Sequence, residues 1–162
     1  MMKETFITGM RRIAYPVCIV SACANGKKLA ITVSSVTSVS IEPPTLLVCI
    51  NNSSSMAKAV RKGSLLNVNF LNSTQSTLSD ICANKNKADM RFSSNEWLYD
   101  PSGTPYVDQC EMVAFCEVDN VVIQSTHSVA FLAVAKVNVS QITQSDPLIY
   151  HNGSYLNIKQ NY

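Results

Sequence analysis

Two apolar runs, at residues 31–41 and 46–50, constrain the fold of this chain more than any other stretch. In the first run, valine and isoleucine recur between serines and threonines, and β-branched residues with short hydroxyls suit a pleated strand. The second run is continuously apolar, which predicts a strand buried on both faces. Glu42-Pro43-Pro44 lies between the runs, so the pattern predicts two strands joined by a short connection.

A polar segment, Asn-Asn-Ser-Ser-Ser at residues 51–55, follows the second run and is predicted to begin a helix. Side-chain hydroxyls, backbone N–H groups and the positive end of a helix dipole can together receive an anion. The hydroxyl-rich strand and this segment are therefore a candidate anion-binding site. The alternative is that these serines and threonines only form the solvated face of a sheet, and the residues alone leave both interpretations open.

Length and composition favour a single domain that covers residues 1–162. The hydrophobic content of 46% is sufficient for a sizeable core, and the charged content of only 15% suggests that part of the surface is a subunit interface. The net charge is +2, and no stripe of lysine and arginine is interleaved with aromatic residues. We therefore predict no nucleic-acid partner.

The cysteine pattern indicates free thiols rather than a metal site. Six cysteines occur without a Cys-x-x-Cys pair, and the chain has two histidines, His127 and His151. This spacing does not resemble a zinc site, so no metal is predicted. Four of the cysteines lie in apolar runs, where cysteine behaves as a small hydrophobic residue. The sequence therefore predicts a reduced, cytoplasmic protein.

Residues 11–24 allow a second interpretation. Arg11-Arg12 and the apolar run after it resemble a signal peptide, and Val20-Ser21-Ala22-Cys23 resembles a lipoprotein cleavage box. However, the run is too short to span a bilayer, Pro16 interrupts it, and Glu4 lies in the would-be basic region. A helix followed by a buried first strand explains the same residues, and we predict no membrane association.

Strands dominate the predicted elements. An amphipathic helix is predicted at residues 3–12, and shorter helices begin at Ser54 or Ser55 and at Ser73 or Thr74, ending near Arg61 and Cys82. Asn25-Gly26 is a hairpin signal. Strands are predicted at residues 17–22, 29–41, 45–50, 65–71, 107–118, 121–126 and 129–139, with a closing hairpin at 148–158. Residues 84–95 and 97–106 are predicted to be a surface loop and a long connection. No regular βαβ alternation occurs, so a mainly antiparallel β-barrel with helical excursions is expected.

Fingerprints of several enzyme classes are absent. The sequence has no Gly-x-Gly-x-x-Gly motif, no Walker loop and no Gly-x-Ser-x-Gly elbow. Residue spacing alone therefore predicts a β-rich domain with a possible anion-binding corner, and no conventional catalytic constellation.

Several motifs occur in the order in which they occur in the short-chain flavin reductase family, which this chain resembles across residues 5–158. They are Thr32-x-Ser34-Ser35 with Pro43-Pro44 and Cys49-Ile50-Asn51, then Asn67-Val-Asn-Phe-Leu, Arg91-Phe-Ser, Cys116-Glu-Val, Thr126-His127, and Pro147-Leu-Ile-Tyr150 with Gly153-x-Tyr155. The first block is specific, and the others are individually weak.

The resemblance implies a mainly β fold, an antiparallel, Greek-key-like FMN-binding split β-barrel with two or three inserted helices, in a homodimer. It implies an NAD(P)H:flavin oxidoreductase that binds FMN or FAD, with NADH or NADPH as co-substrate and a monooxygenase component as a possible partner. One alternative is an FMN-binding sensor or storage protein, and another is an oxidoreductase that keeps its flavin tightly bound. Neither would turn over free flavin.

The resemblance also implies a set of site residues. One strand would line the flavin ring and ribityl chain with Thr32, Ser34, Ser35, Val36, Thr37 and Ser38. A second segment would help to hold the phosphate with Cys49, Asn51, Ser53, Ser54 and Ser55. Lys58 would add positive charge, and Phe92 would lie near the ring. His127 matches the family histidine close to the flavin and nicotinamide and would be the catalytic residue. Tyr150 and Tyr155 match carboxy-terminal aromatic residues near the site.

Two departures from the family pattern concern this site. Relatives often have glycine where this chain has Ala30. Glycine allows a ligand or another part of the chain to approach the backbone closely, and the methyl group of alanine occupies that space. Relatives often read Gly-Asp-His, whereas this chain reads Ser125-Thr126-His127. His127 therefore lacks the acidic neighbour that relatives often have.

Overall fold

A computed structural model describes residues 1–141, 146–156 and 158. Its helices are α1 (Met2–Arg11) and α2 (Ser76–Ala83), with 3-10 helices at Ser55–Lys58, Ser73–Gln75 and Lys85–Met90. Its strands are β1 (Tyr15–Pro16), β2 (Cys18–Ala24), β3 (Lys27–Val33), β4 (Val36–Ile41), β5 (Pro44–Asn51), β6 (Leu65–Phe70), β7 (Trp97–Tyr99), β8 (Pro105–Val107), β9 (Met112–Gln124), β10 (His127–Val139), β11 (Ile149–His151) and β12 (Ser154–Leu156). None of the helices in these ranges is long and apolar enough to cross a membrane.

Seven strands form one antiparallel sheet, in the order β3-β2-β6-β9-β10-β5-β4. Two smaller sheets accompany it, β1-β11-β12 and the hairpin β7-β8. Asn25 and Gly26 form the turn between β2 and β3 with φ angles of 52° and 72°, as the hairpin signal predicts. The predicted mainly antiparallel β architecture with inserted helices is confirmed.

The prediction of one continuous strand at residues 29–41 is wrong. The chain breaks at Ser34 and Ser35, and the two halves, β3 and β4, form opposite edges of the large sheet. At the break, Ser35 Oγ donates to the Cys49 carbonyl at 2.9 Å and accepts from the Cys49 N–H at 3.2 Å. A side chain thus satisfies backbone groups of β5 and joins the β3–β4 corner to that strand.

The prediction of two separate strands at residues 107–118 and 121–126 is also wrong. β9 runs continuously for 13 residues and pairs with β10 as a long hairpin. The polar pair Asp119-Asn120 looked like a break, but the register places Asn120 opposite Phe131 and Val118 opposite Leu132. Asp119 is therefore the extra residue of a bulge, which bends a strand without ending it.

β2 is buried on both faces. Successive side chains of a strand point to opposite sides, so its residues and the preceding Val17 divide between two clusters. Cys18, Val20 and Ala22 belong to one hydrophobic cluster, with residues of β5, β6, β9 and β10. Val17 and Ile19 belong to a second cluster, which continues into α2 and the β7–β8 hairpin. The large sheet therefore has a core on each side.

Buried amides attach the β7–β8 hairpin to the sheet, in the segment predicted to be an irregular connection. Asn69 Nδ2 donates to the Ile19 carbonyl at 2.8 Å, and its Oδ1 accepts from the Val107 N–H at 2.8 Å. Asn67 Nδ2 donates to the Pro105 carbonyl at 3.2 Å. The alternating asparagines of β6 thus have a structural role on the face that carries the hairpin.

The remaining helix and turn predictions hold with shifted boundaries. The first helix is α1, and the predicted helix start at Ser73 or Thr74 is capped one residue earlier, by Asn72 in a capping box with Gln75. The closing hairpin turns at Asn152-Gly153, with φ angles of 49° and 85°. Residue 157, which falls in the predicted last strand, lies outside the described residues.

Candidate functional site

A cavity of about 480 Å³ lies beside the corner where β3 ends and β4 begins. Its wall combines β3, β5, the segment before the first 3-10 helix, the end of α2 and the start of β10. Nine of the predicted site residues line it, namely Thr32, Ser34, Ser35, Cys49, Asn51, Ser53, Ser54, Ser55 and His127. The fold therefore brings the two predicted segments and the histidine into one site.

The other predicted residues lie outside this wall. Val36 is buried in the first hydrophobic cluster, and Thr37 and Ser38 are exposed, because β4 leads away to the far edge of the sheet. Lys58 is exposed at the end of its 3-10 helix. Phe92 packs on Trp97 with ring centroids 4.8 Å apart. Tyr150 and Tyr155 lie in the small carboxy-terminal sheet, where their ring centroids are 5.6 Å apart.

Two cationic residues that sequence reasoning missed, Lys85 and Arg91, line the same cavity. Lys85 Nζ donates to Ser53 Oγ at 3.3 Å. Arg91 is only 7% exposed, and its Nη2 donates to the Asn84 carbonyl at 3.3 Å. Its buried Nε has no hydrogen-bond partner among the described residues. The positive charge of the site therefore comes from these side chains and not from Lys58.

The segment that carries both cations was predicted to be a surface loop, and one signal in the sequence identifies it as a helix. Asn84 Oδ1 accepts from the Asn86 N–H at 2.9 Å and caps the 3-10 helix Lys85–Met90. Arg91 is the C-cap of that helix. Because Asn is a preferred cap residue, Asn84 ahead of the lysines was the available signal.

Several cavity hydroxyls hold the wall together. Thr32 Oγ1 donates to the Ser79 carbonyl at 2.6 Å, Ser35 binds the Cys49 backbone, and Ser54 Oγ accepts from the Ala57 N–H at 3.3 Å. Ser34 and Ser55 have no side-chain hydrogen-bond partner among residues 1–141, 146–156 and 158. Ser34, Ser55 and the Ser53–Lys85 pair are therefore cavity groups with hydrogen-bonding capacity left for a ligand.

The predicted contribution of a helix dipole is not supported. The helix after Ser54 is a four-residue 3-10 helix, Ser55–Lys58. A macrodipole needs several aligned peptide units, so this short element supplies little positive potential. Charge at this end of the cavity comes from Lys85 and Arg91 instead.

His127 begins β10 directly opposite Asn51 of β5, and its side chain is exposed at the cavity wall. Its Nδ1 lies 2.9 Å from Thr126 Oγ1. The contact with threonine can hold the ring orientation, but a hydroxyl both donates and accepts and is therefore compatible with either tautomer. Since the ring is not packed in the core, it is accessible to a ligand.

The two cavity cysteines differ in exposure. Cys49 is partly exposed, whereas Cys82 is buried, and burial raises the pKa of the Cys82 thiol to about 12. Cys82 therefore stays protonated at neutral pH and cannot act as a thiolate nucleophile. All six cysteines are free, and no cluster of His, Cys, Asp and Glu that could hold a metal occurs in the described part of the chain.

A smaller cleft of about 230 Å³ adjoins the cavity, because Ser34 lines both. Its walls are the apolar side of α1, with Phe6, Ile7 and Met10, and the ring of Tyr150. Tyr150 is thus near the cavity, although it does not line it.

Comparisons with known proteins agree on one family. The model of the family described as "Flavin reductase like domain" matches residues 10–159. The reductase component of an FADH(2)-dependent resorcinol hydroxylase from Rhizobium sp. (strain MTP-10005) is 34% identical over 154 residues, 94% of this chain and 85% of that protein. The FMN reductase (NADH) RutF of Pseudomonas syringae pv. syringae (strain B728a) is 31% identical over 150 residues, 93% of this chain and 83% of that protein.

Solved structures agree as well. A flavin reductase domain protein from Arthrobacter sp. FB24 superposes with a TM-score of 0.88 and 25% identity, covering 99% of this chain and 98% of that one. The similarity therefore extends over the large sheet, the cavity and the small carboxy-terminal sheet together.

Proposed function

Because this chain belongs to the flavin reductase like domain family, we propose that it is an NADH-dependent reductase of free FMN that supplies reduced flavin to a partner monooxygenase. Two relatives support this proposal by name: one is the reductase component of a hydroxylase, and the other is an FMN reductase that uses NADH. FAD is the second choice for the flavin, and NADPH is the second choice for the nicotinamide co-substrate.

The observation that carries the proposal is the cationic end of the cavity. Arg91 is buried and its Nε has no hydrogen-bond partner in the part of the chain that the structure describes, and Lys85 lies against Ser53. A buried charged group without full hydrogen bonding is costly, and an anion beside it would offset that cost. A terminal phosphate carries nearly two negative charges at neutral pH. We therefore assign the FMN phosphate to the part of the cavity wall that carries Lys85, Arg91 and the serine hydroxyls.

The remaining residues position the reactants. Bound FMN would supply the ring that accepts a hydride, and NADH would supply the hydride. Thr32 and Ser34 line the cavity where β3 ends and would flank the ring and ribityl chain. His127 is accessible at the wall and would orient the nicotinamide. No residue needs to act as a strong acid or base.

A steady-state assay tests this function against a tightly bound flavin. FMN is added in large excess over the protein, and NADH oxidation is followed as a function of FMN concentration. A free-flavin reductase shows a rate that saturates with FMN and reduces many equivalents per protein. A rate that is independent of added FMN would contradict the proposal.

We further propose that the protein is a cytoplasmic homodimer. Large apolar side chains are exposed on α1, β4 and β9, including Phe6 at 66%, Ile41 at 91% and Ile123 at 73%. β4 is also an edge strand of the large sheet, and such edges are commonly covered. Six free cysteines suit a reducing compartment. Light scattering at micromolar concentration should give about twice the chain mass of 17.7 kDa, and a stable monomer would contradict the dimer.

A further inference from the structure

We propose that Tyr155 is a positioning residue: its hydroxyl fixes α2, and through α2 the cationic wall of the cavity. This inference rests on the proposed flavin function. The resemblance implied that Tyr155 itself lies near the cofactor, but its side chain does not line the cavity.

The Tyr155 hydroxyl binds two consecutive residues of α2. It donates to Ser79 Oγ at 2.8 Å and lies 3.0 Å from Asp80 Oδ1. Ser79 is fully buried, so the contact joins β12 to the inner face of the helix. Burial, together with the Asp80 carboxylate, raises the pKa of Tyr155, so the hydroxyl keeps its proton at any pH near neutrality.

Ser79 is also held from the side of the cavity. Its carbonyl accepts from Thr32 Oγ1 at 2.6 Å, and Thr32 lines the wall. The same residue of α2 is therefore fixed by its hydroxyl to the small sheet and by its carbonyl to β3. Loss of either contact frees one side of the helix.

The position of α2 determines where the cations lie. Its last turn contributes Cys82 to the wall, and Asn84 then begins the 3-10 helix that carries Lys85. Arg91 caps the end of that helix. A small displacement of α2 would thus move both cations relative to Ser53, while His127 on β10 would stay in place.

The test is Tyr155→Phe, which removes the hydroxyl and keeps the ring that packs on Tyr150. Dissociation constants are measured for FMN and for riboflavin, which lacks the phosphate. We expect FMN affinity to fall about two- to tenfold, as for loss of a neutral hydrogen bond, with riboflavin affinity unchanged. An equal loss for both ligands would mean that Tyr155 contacts the ring or stabilises the whole fold, and no loss for FMN would likewise overturn the proposal.

Two companion measurements sharpen the test. Tyr99→Phe is the matched control, because Tyr99 accepts from Lys28 Nζ at 2.8 Å on an exposed surface and does not line the cavity, so it should leave both affinities unchanged. Amide hydrogen exchange of Tyr155→Phe needs no flavin. Exchange should become faster across Ser76–Ala83 and stay unchanged across Leu65–Phe70. Unchanged exchange in α2 would overturn the positioning role whatever the flavin does, whereas failure of wild-type protein to bind FMN would overturn the proposed function instead.

Discussion

Lys85 is the residue on which the proposed phosphate site depends most directly. Its Nζ reaches Ser53 Oγ at the cavity wall, and a charge-assisted hydrogen bond to phosphate contributes about 1.5–3 kcal/mol. We predict that Lys85→Ala weakens FMN binding about ten- to hundredfold and leaves riboflavin binding nearly unchanged. Quenching of flavin fluorescence in an equilibrium titration measures both affinities.

Lys58 provides the matched control for that variant. It is a lysine on a neighbouring short helix, but it is exposed and lies outside the cavity wall. Lys58→Ala should therefore leave FMN affinity as it is in the wild type. Equal effects of the two substitutions would indicate a diffuse attraction between the protein and the anion, and not a phosphate site.

His127 is predicted to act on hydride transfer rather than on folding. Because the ring is exposed, His127→Ala should leave the melting temperature unchanged. If the ring orients the nicotinamide by one hydrogen bond, the rate of flavin reduction should fall about tenfold with little change in FMN affinity. Stopped-flow absorbance resolves the rate. A lower melting temperature with an unchanged rate would assign His127 to packing.

At the scale of residues, the sequence predicts the hydroxyl side of the cavity and misses its charged side. Ser34 and Ser53 lie on the two segments flanking the prolines, so one local pattern contains both. Lys85 and Arg91 reach the wall only after α2 has packed on β3, and no local pattern reports that contact. Val36, which the resemblance placed in the site, is instead buried in the first hydrophobic cluster, because β4 leads away from the cavity.

At the scale of elements, the β3–β4 corner depends on one side chain. Ser35 Oγ satisfies both the N–H and the carbonyl of Cys49, and removing such a partner leaves backbone groups unpaired. We predict that Ser35→Ala lowers the free energy of unfolding by about 1–3 kcal/mol, or roughly 2–4 °C in melting temperature for each kcal/mol. Thermal unfolding followed by circular dichroism measures this.

Ser34→Ala is the control for the corner. Ser34 is the neighbouring serine and lines the same cavity, but its hydroxyl has no partner in the described ranges. Its substitution should leave the melting temperature within about 1 °C of the wild type. If Ser35→Ala and Ser34→Ala have the same melting temperature, the corner is held by backbone pairing and not by the Ser35 side chain.

The predicted elements fail where tertiary structure overrides a local signal. Asn25-Gly26 and Asn152-Gly153 form turns as predicted, because their backbone geometry is a local property of these residues. The predicted strand ends before Asp119, but pairing with β10 both before and after this residue carries the strand through it as a bulge. Long-range pairing is not encoded in the few residues around a polar pair.

At the scale of the whole molecule, buried thiols give the fold a sensitivity to alkali. Burial raises the pKa of Cys18, Cys82, Cys110 and Cys116 to about 12, from 9.0 for an exposed thiol. Between these values the unfolded chain releases protons that the folded protein retains, so stability falls as pH rises from about 9 toward 12. Urea unfolding at pH 8 and pH 10.5 should show this fall.

Cys116→Ala serves as the control for the alkaline effect. Burial alone accounts for the raised pKa of Cys116, so removing this thiol should make the loss of stability between the two pH values smaller. A loss of the same size in the variant would assign the alkaline sensitivity to other groups. The compared quantity is the change in the free energy of unfolding between the two pH values. A destabilisation by the smaller side chain that is equal at both pH values therefore cancels.

The overall class of this molecule is the part that the sequence predicts best. Strand-forming runs, rare helices and the absence of βαβ alternation are sufficient for a mainly antiparallel β fold. The order of strands in the sheet is not predictable in the same way, because it places β3 and β4, neighbours in the chain, at opposite edges. The cavity lies beside the corner where β3 ends and β4 leaves for the other edge of the sheet. Its shape therefore depends on the topology of the sheet rather than on any single motif.

The affinity of the wild-type protein for FMN relative to riboflavin tests the central claim most directly. The two ligands share the ring and the ribityl chain, and only FMN carries the phosphate that Lys85 and Arg91 are proposed to bind. We predict that FMN binds at least tenfold more tightly than riboflavin, and that added salt reduces the difference. Equal affinities for the two ligands, or no binding of either one, would contradict the assignment of this cavity as a flavin phosphate site.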